Sequence, residues 1–439
     1  MEEYNYRNPI YRLKLNKLFF MYKEYKIHIF FEKLLMLSIF LFIFSIPFNP
    51  QISKTIINQM FYFWIFSLQF QYFVIFFKNK LLLILSIFIL LIYLSYLWSE
   101  PPLFNVNYIS MSVKFWFFPT VILTTSMKQK YLKYYISTFL LAMFINELIS
   151  YAIYFEYIKE SILGFTITGN AYDPVPFQTS HMEYSVYISF TIFILLYSLF
   201  YRKFDLKSIV YTLFLITMIS NLFLSAGRSG QFTFIIVSFV LIAIYFHNKI
   251  KLIAGSFFIL IFILTLAYNT SDTFKARIYN AENDIKKALF TKNYNTSFGI
   301  RISSYILIPE IIKITPPLFG VGFNDTNKVI HNLHMQKFKE FSEFSHQQGH
   351  LHNTYITIYA ALGIIGITIL FYIFYLILTL KLNSHFINYL KYVFIFTIFF
   401  AGFTENLFRE KEIMLLFSTF LSIIVVQNQF EQKQKEVSL

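Results

Sequence analysis

Long apolar runs recur along almost the whole chain, and they limit its possible folds more than any other feature. A membrane-spanning helix needs about 20 mainly apolar residues. The 439 residues are 57% hydrophobic and only 14% charged, which excludes a soluble globular protein of this length. We predict an all-α, polytopic integral membrane protein. The runs predict about 12 transmembrane helices, at residues 34–48, 61–77, 81–98, 108–125, 134–157, 184–201, 208–224, 231–246, 250–268, 355–378, 387–403 and 413–426.

The basic residues predict how these helices are oriented. In a soluble protein a net charge of +14 would suggest nucleic-acid binding. In a membrane protein, short loops rich in Lys and Arg remain on the cytoplasmic side of the membrane. We expect this role for Arg7, Arg12, Lys14, Lys17, Lys78, Lys80, Lys128, Lys130, Arg202, Lys203, Lys207, Lys249, Lys251, Lys381, Lys391, Lys433 and Lys435. The segments 99–107, 159–180, 227–230, 269–351 and 405–412 then face the opposite side. The first apolar run lacks a small-residue cleavage site and is expected to remain as a span.

These patterns divide the chain into three parts. Residues 1–268 hold nine transmembrane helices, 269–352 form an extracytoplasmic (periplasmic) loop domain, and 353–439 hold three more helices and a cytoplasmic tail. The loop is too long for a simple connection. Within it, Ser271 and Asp272 predict the start of a helix reaching Leu289, and residues 300–313 predict a second helix that Pro316 and Pro317 end. Gly320-Val321-Gly322 predicts a flexible turn.

A histidine with two following glycines marks the end of this loop, in the pattern His352-Asn353-x9-Gly363-x-x-Gly366. Residues eleven apart share a face of a continuous helix, so we expect both glycines below His352, where they let a large group approach. An imidazole at the membrane surface accepts a proton near neutral pH, which predicts a general base. The structural alternative is helix capping by His352 or Asn353.

Two arginines are candidates for binding an anion. Arg228 lies between Gly227 and Gly230, which bare the backbone, and Arg301 begins the second loop helix. A guanidinium suits a phosphate oxyanion because it donates a fork of hydrogen bonds. The structural alternatives are a snorkelling Arg228 and a solvated Arg301. Snorkelling is the weaker explanation for Arg228, because it faces outward whereas anchoring arginines are biased to the cytoplasmic side.

Several other residues belong to the same outward surface. Gly320 and Gly322 are not part of a dinucleotide fingerprint, since Asp325 takes the third glycine position and no strand precedes them. Residues that could line a site with them are His181, Glu405 and Arg409. We predict no metal site in the cluster His331, His334, His346, His350 and His352, because its only nearby carboxylates are Glu340 and Glu343. Glu147 and Lys114 are expected to pair between two spans.

Together these motifs resemble the O-antigen ligase and O-antigen polymerase family of bacterial envelope glycosyltransferases. The resemblance lies in three features. Arg228 follows a span on the outward side, and a long outward loop contains Arg301 and Gly320-Val321-Gly322. The third feature, His352-Asn353-x9-Gly363-x-x-Gly366, resembles the ligase motif at every position of that motif. The motif segments cover roughly the second half of the chain.

The resemblance implies transfer of a glycan from undecaprenyl diphosphate to an acceptor hydroxyl, without a cofactor, metal or nucleic acid. It implies that Arg228 and Arg301 bind the diphosphate and that His352 is the base, in the bacterial inner (cytoplasmic) membrane with the site facing the periplasm. The acceptor expected is lipid A–core oligosaccharide, as for a ligase. The alternatives are a polymerase with a carrier-linked acceptor, a protein O-oligosaccharyltransferase and a lipid-linked oligosaccharide transporter. A transporter is disfavoured because few charged residues line the spans.

Overall fold

Helices make up almost all of the chain that the computed structural model describes, which is residues 26–99, 113–162, 164–177, 180–200, 205–338 and 351–438. Before the outward loop these helices are α1 Ile27–Ser45, α2 Pro50–Phe66, α3 Phe73–Lys78, α4 Lys80–Leu94, α5 Phe118–Ser126, α6 Leu132–Tyr154, α7 His181–Phe200, α8 Leu206–Leu224, α9 Arg228–Phe246 and α10 Ile250–Thr270. The rest are α11 Asp272–Lys286, α12 Ser297–Ile306, α13 Ile308–Ile314, α14 Phe323–Lys337, α15 Thr354–Thr379, α16 His385–Ala401 and α17 Lys411–Ser438. Strands β1 (Ser161–Ile162) and β2 (Phe165–Thr166) pair antiparallel between α6 and α7.

The polytopic all-α prediction is confirmed, but the count of 12 spans is not. Within the described ranges, nine helices are long and apolar enough to cross a membrane: α1, α4, α6, α7, α8, α9, α10, α15 and α17. The predicted span 61–77 is instead divided between α2 and α3, which are bent by 88°. The span 387–403 corresponds to α16, an apolar helix of 17 residues. The span 108–125 falls partly outside the described residues and ends in α5.

Some predicted features cannot be placed because they lie outside the described residues. These are the basic residues Arg7, Arg12, Lys14, Lys17, Arg202 and Lys203, the loop histidines His346 and His350, and the carboxylates Glu340 and Glu343.

Helix α17 forms the centre of the bundle, and α10 lies at its edge. Within their apolar segments, 89% of α17 is buried by the rest of the protein but only 11% of α10. Ser418 of α17 donates to the backbone oxygens of Phe115 and Trp116, so a polar hydroxyl in this core is satisfied. The Trp116 ring stacks on Phe408, with 4.5 Å between centroids, directly beside the 402–410 turn. The core thus anchors the turn that precedes α17.

The described part of the 269–351 loop folds as four helices that pack over the bundle. Ser271 caps α11 by accepting a hydrogen bond from the Phe274 amide, as its sequence predicted. The predicted second helix is two helices, α12 and α13, because Pro309 lacks the amide hydrogen that a continuous helix needs. Asp284 of α11 accepts a hydrogen bond from the Phe298 amide at 3.2 Å, which joins α11 to the first turn of α12.

Helix α15 is broken at Gly363, and the break receives a segment of the loop. Gly363 has φ +63° and ψ −158°, which is not helical. The amides of Val321 and Gly322 donate to the carbonyls of Ala360 and Ala361. In return, the amides of Ile364 and Ile365 donate to the carbonyls of Pro317 and Leu318. The segment 316–322 therefore lies in the kink of α15. Its backbone forms hydrogen bonds with the amides and carbonyls that the break leaves without helical partners.

Candidate functional site

The first turn of α15 positions His352 without using it as a cap. Asn353 caps the helix, because its side chain accepts a hydrogen bond from the Ile356 amide at 2.9 Å. The Asn353 amide nitrogen also donates to Tyr305 Oη at 3.0 Å. The next residue, Thr354, donates to the Glu405 carbonyl at 2.7 Å and accepts from the Leu407 amide at 2.9 Å. These bonds hold the 402–410 turn against His352, so the capping alternative applies to Asn353 and not to His352.

Glu405 is the centre of the site. Its Oε2 lies 2.9 Å from Nδ1 of His352, and its Oε1 accepts from Arg301 Nη2 at 2.6 Å and from Ser229 Oγ at 2.9 Å. The residue is only 5% exposed. Glu405 thus brings together two of the predicted residues, from the start of α15 and from α12, together with a serine of α9.

The hydrogen bonds around Glu405 keep its carboxylate charged. Burial alone raises the pKa of this carboxyl, but the hydrogen bond with His352 and the positive charge of Arg301 outweigh it, so the pKa of Glu405 lies below its ordinary value. An ionised Glu405 accepts from Nδ1–H of His352 and thereby selects the tautomer whose Nε2 is basic. This is the arrangement of a histidine base with its orienting carboxylate.

Arg228 lies beside this cluster, at the first residue of α9. Its Nη1 is 3.9 Å from Asp284, and within the described chain neither Nη1 nor Nε has a hydrogen-bond partner although both atoms are buried. Arg228 is close enough to Arg301 and Arg277 for both positive charges to act on it. Gly227 lets the start of α9 pack closely against α7, because an added Cβ would lie 2.3 Å from the His181 carbonyl oxygen. The result is a buried guanidinium with unused donors, which is suited to an anion.

His181 is linked through Asp173 to the backbone that precedes Arg228. Its Nδ1 lies 3.2 Å from Asp173, whose other oxygen accepts from the Ala226 amide at 2.8 Å. The neighbouring Met182 sulfur is 3.9 Å from Arg301. His181 thus lies next to the segment that precedes Arg228, and its side chain is 45% exposed.

Arg409 lies in the 402–410 turn, four residues after Glu405. It is half-buried and makes no ion pair within the described residues. Beside this turn, the carboxylates of Glu183, Glu410 and Glu412 lie within 4.8 Å of one another. Burial and the nearby charge of Glu412 raise the pKa of Glu410 to about 7. Three oxygen donors at this spacing are the chemistry of a hard cation, but carboxylates sharing protons explain the cluster equally well.

The glycines of the motif serve the fold rather than opening a groove. The prediction that Gly363 lies on one helical face with His352 is wrong, because the helix starts at Thr354 and breaks at Gly363 itself. The group that approaches Gly363 is the protein's own backbone, since an added Cβ would meet Leu318 at 2.4 Å. Gly320 and Gly322 also have positive φ and are held by α15, so they are not a flexible turn. Gly366 is buried against the Leu362 side chain.

The expected pair of Glu147 and Lys114 receives no support from the geometry. Glu147 is buried in α6, its Oε1 has no hydrogen-bond partner in the described structure, and it makes no ion pair with Lys114, which is exposed. His334 of the histidine cluster instead packs inside the loop domain, where Ser303 lies 3.2 Å from its Nε2. Burial lowers the pKa of His334, so it is a neutral core residue.

Glu405 was predicted only as a residue that could line the site. No sequence pattern predicted a role for Ser229, Asp284 or Asp173. Glu405 follows α16 in a short turn, with no spacing that relates it to His352, so its central position depends on tertiary structure. Asp284 offered a weak signal, because it lies on the apolar side of an amphipathic helix where a carboxylate needs a partner.

A family model matches the middle part of the chain. Residues 213–371 match the family model described as O-antigen ligase. No curated protein matches the chain. The matched segment contains Arg228, Arg301 and His352, whereas Glu405 lies beyond its end. Members of this family are glycosyltransferase-like enzymes of ligase or polymerase type, with lipid-linked glycans as substrates. This segment of the chain is therefore similar to the O-antigen ligase family.

Proposed function

We propose that this protein is an O-antigen ligase, which transfers a glycan from undecaprenyl diphosphate to a hydroxyl of lipid A–core oligosaccharide. The observation that carries the proposal is the buried Glu405 carboxylate, which contacts both His352 and Arg301. It joins a base and a phosphate-binding cation in one rigid unit, and such pre-organisation is what a transfer reaction requires. The family description and the complete His352-to-Gly366 motif favour a ligase over a polymerase.

In the proposed reaction His352 removes one proton. The acceptor hydroxyl loses its proton to Nε2 of His352 as its oxygen bonds to the anomeric carbon of the glycan. Glu405 stabilises the imidazolium that forms, because its negative charge lies 2.9 Å from Nδ1. Direct displacement by one nucleophile inverts the configuration at the anomeric carbon.

The electron pair of the breaking bond leaves with the diphosphate. That bond joins the anomeric carbon to a phosphate oxygen, so negative charge increases on the phosphate as the bond lengthens. Arg228 and Arg301 bind this charge through paired N–H donors, which lowers the barrier to departure. In this proposal His352 accepts the proton and the two arginines bind the phosphate, so neither step uses a cofactor. The donor lipid enters from the bilayer around the helix ends that carry the site.

The site is proposed to face the periplasm, and cysteine labelling tests this orientation. The natural chain has no cysteine, so single replacements report without background. We expect Lys287→Cys, at an exposed position after α11, to react with a membrane-impermeant maleimide in intact cells. Lys251→Cys, exposed at the start of α10, is expected to react only after the membrane is permeabilised. Labelling of both positions in intact cells would reject the orientation and the periplasmic site.

A deletion strain tests the ligase activity itself. We expect deletion to remove long glycan chains from lipid A–core, with the polymer accumulating on undecaprenyl diphosphate. Gel analysis of lipopolysaccharide and of the carrier-lipid fraction measures both changes. The wild-type gene restores the long chains, and the gene carrying His352→Ala, expressed at equal level, is the control that does not. A deletion strain that retains a single repeat unit on the core contradicts the ligase and identifies a polymerase.

A further inference from the structure

Arg277 lies on the inward side of α11, beside the proposed diphosphate site. Positions 274, 277, 281, 284 and 288 recur at intervals of three and four, so they form one face across α11 and the turn that follows it. Phe274, Asp284 and Ala288 of this face are buried, and Phe274 packs on Phe223 with 4.8 Å between ring centroids. Arg277 lies in the middle of this face and is half-buried.

The position places Arg277 on the same face of α11 as Asp284, the carboxylate that lies opposite Arg228. Asp284, two turns further along the same face, lies 3.9 Å from Arg228. Arg228 in turn experiences the positive charge of Arg277. Across the ranges that the structure describes, Arg277 makes no ion pair within 4 Å, whereas Arg228 faces Asp284 and Arg301 faces Glu405. Two arginines brought together by the fold, one of them uncompensated, repel each other unless an anion binds between them.

We propose that Arg277 is a third arginine of the anion site and binds a phosphate of the lipid-linked diphosphate. This inference rests on the proposed function. Arg228 and Arg301 share their charge with Asp284 and Glu405, so the pair alone supplies little net positive charge. A diphosphate whose negative charge grows on departure needs an uncompensated cation, and Arg277 supplies it. The face of α11 thereby brings the outward loop into donor binding.

The alternative role for Arg277 is packing, in which its methylene stem covers apolar surface and its head stays in water. A packing role makes no use of the guanidinium fork and gives no dependence of anion binding on residue 277. Lys275 provides a matched control, because it lies two residues away on the opposite, exposed face of α11. Lys275→Ala removes the same charge from the same helix without altering the inward face.

Binding of farnesyl diphosphate to the purified full-length protein in detergent, measured by calorimetry, tests the proposal. We expect Arg277→Ala to weaken binding about 10-fold or more, as for loss of one charge-assisted hydrogen bond. Arg277→Lys is expected to restore binding in part, because it returns the charge without the fork. Lys275→Ala is expected to bind like the natural protein. Thermal melting verifies the fold of each variant, and Arg277→Gln replaces Arg277→Ala if the alanine variant does not fold.

The outcomes separate this inference from the function on which it rests. Unchanged binding in Arg277→Ala, with binding lost in Arg228→Ala and Arg301→Ala, rejects the role of Arg277 and leaves the diphosphate site intact. Equal weakening in Arg277→Ala and Lys275→Ala also rejects it, since it indicates a general charge effect. Absence of binding by the natural protein overturns the proposed diphosphate site itself, and Arg277 with it.

Discussion

We expect His352→Ala to lower glycan transfer by about 10²- to 10⁴-fold, the range typical for loss of a general base. The donor is still bound, because the arginines belong to other helices. Helix α15 still forms, since Asn353 and not His352 caps it. The measurement is transfer from purified carrier-linked glycan to purified acceptor, with donor binding determined separately. Transfer is also expected to continue in the presence of a chelator.

His352→Asn is the sharpest control for this prediction. Asparagine keeps a polar side chain that can hydrogen-bond with Glu405 but has no basic nitrogen. If His352 only supports the turn around Glu405, the asparagine variant retains activity. An active His352→Asn enzyme would therefore remove His352 from the proposed mechanism and leave only the anion site.

Acidification gives an independent test of the same base. An imidazole that carries a proton cannot accept another, so transfer is expected to fall as the pH is lowered. The pKa of Glu405 lies below its ordinary value, so protonation of its carboxylate does not explain a decline that begins at higher pH. The stabilisation that the charged Glu405 contributes is present above its unfolded-state pKa and is lost only when the pH falls through the lower folded-state value.

Arg301→Ala is expected to produce the second large loss, by two routes. It removes a guanidinium that is proposed to bind phosphate, and a cost of about 10²- to 10³-fold in rate is typical for such a loss. It also removes a partner of the buried Glu405 carboxylate, and breaking a buried ion pair destabilises a protein by about 3–5 kcal/mol. Both the transfer rate and the melting temperature are therefore expected to fall. Arg301→Lys keeps a charge near Glu405 and is expected to recover stability more than activity.

Arg228→Ala separates the two effects. Arg228 faces Asp284 at 3.9 Å and does not contact Glu405 within hydrogen-bonding distance. Its loss is expected to abolish or severely reduce transfer while the geometry of His352 and Glu405 is unchanged. Full activity in Arg228→Lys would mean that Arg228 is an anchor at the end of a span and not a phosphate ligand.

The fold was predictable where a local pattern determines it. Apolar runs near 20 residues located the helices of the bundle, and Ser271 located the start of α11, because hydropathy and capping are properties of neighbouring residues. The number of spans was not predictable, because the bend between α2 and α3 depends on how they pack. Gly363 was misinterpreted for the same reason. A glycine in an apolar run fits a continuous helix equally well, and only the segment 316–322 explains its break.

The site was predictable in its motif residues but not in its centre. Arg301 and His352 were identified individually, and the structure brings them together through Glu405. Glu405 comes from a turn more than fifty residues after His352, so no periodicity relates the pair. Arg277 has a local signal, since it interrupts the buried face of an amphipathic helix, and a charge on such a face needs a partner or a ligand.

The insertion of segment 316–322 into the break of α15 has a consequence for engineering. The two backbones exchange hydrogen bonds in both directions, so the loop and the span are two halves of one joint. A chimera that takes only its loop from a similar protein would leave one half of this joint without its counterpart. Such an exchange therefore requires residues 316–322 and 360–365 to be transplanted as a single cassette.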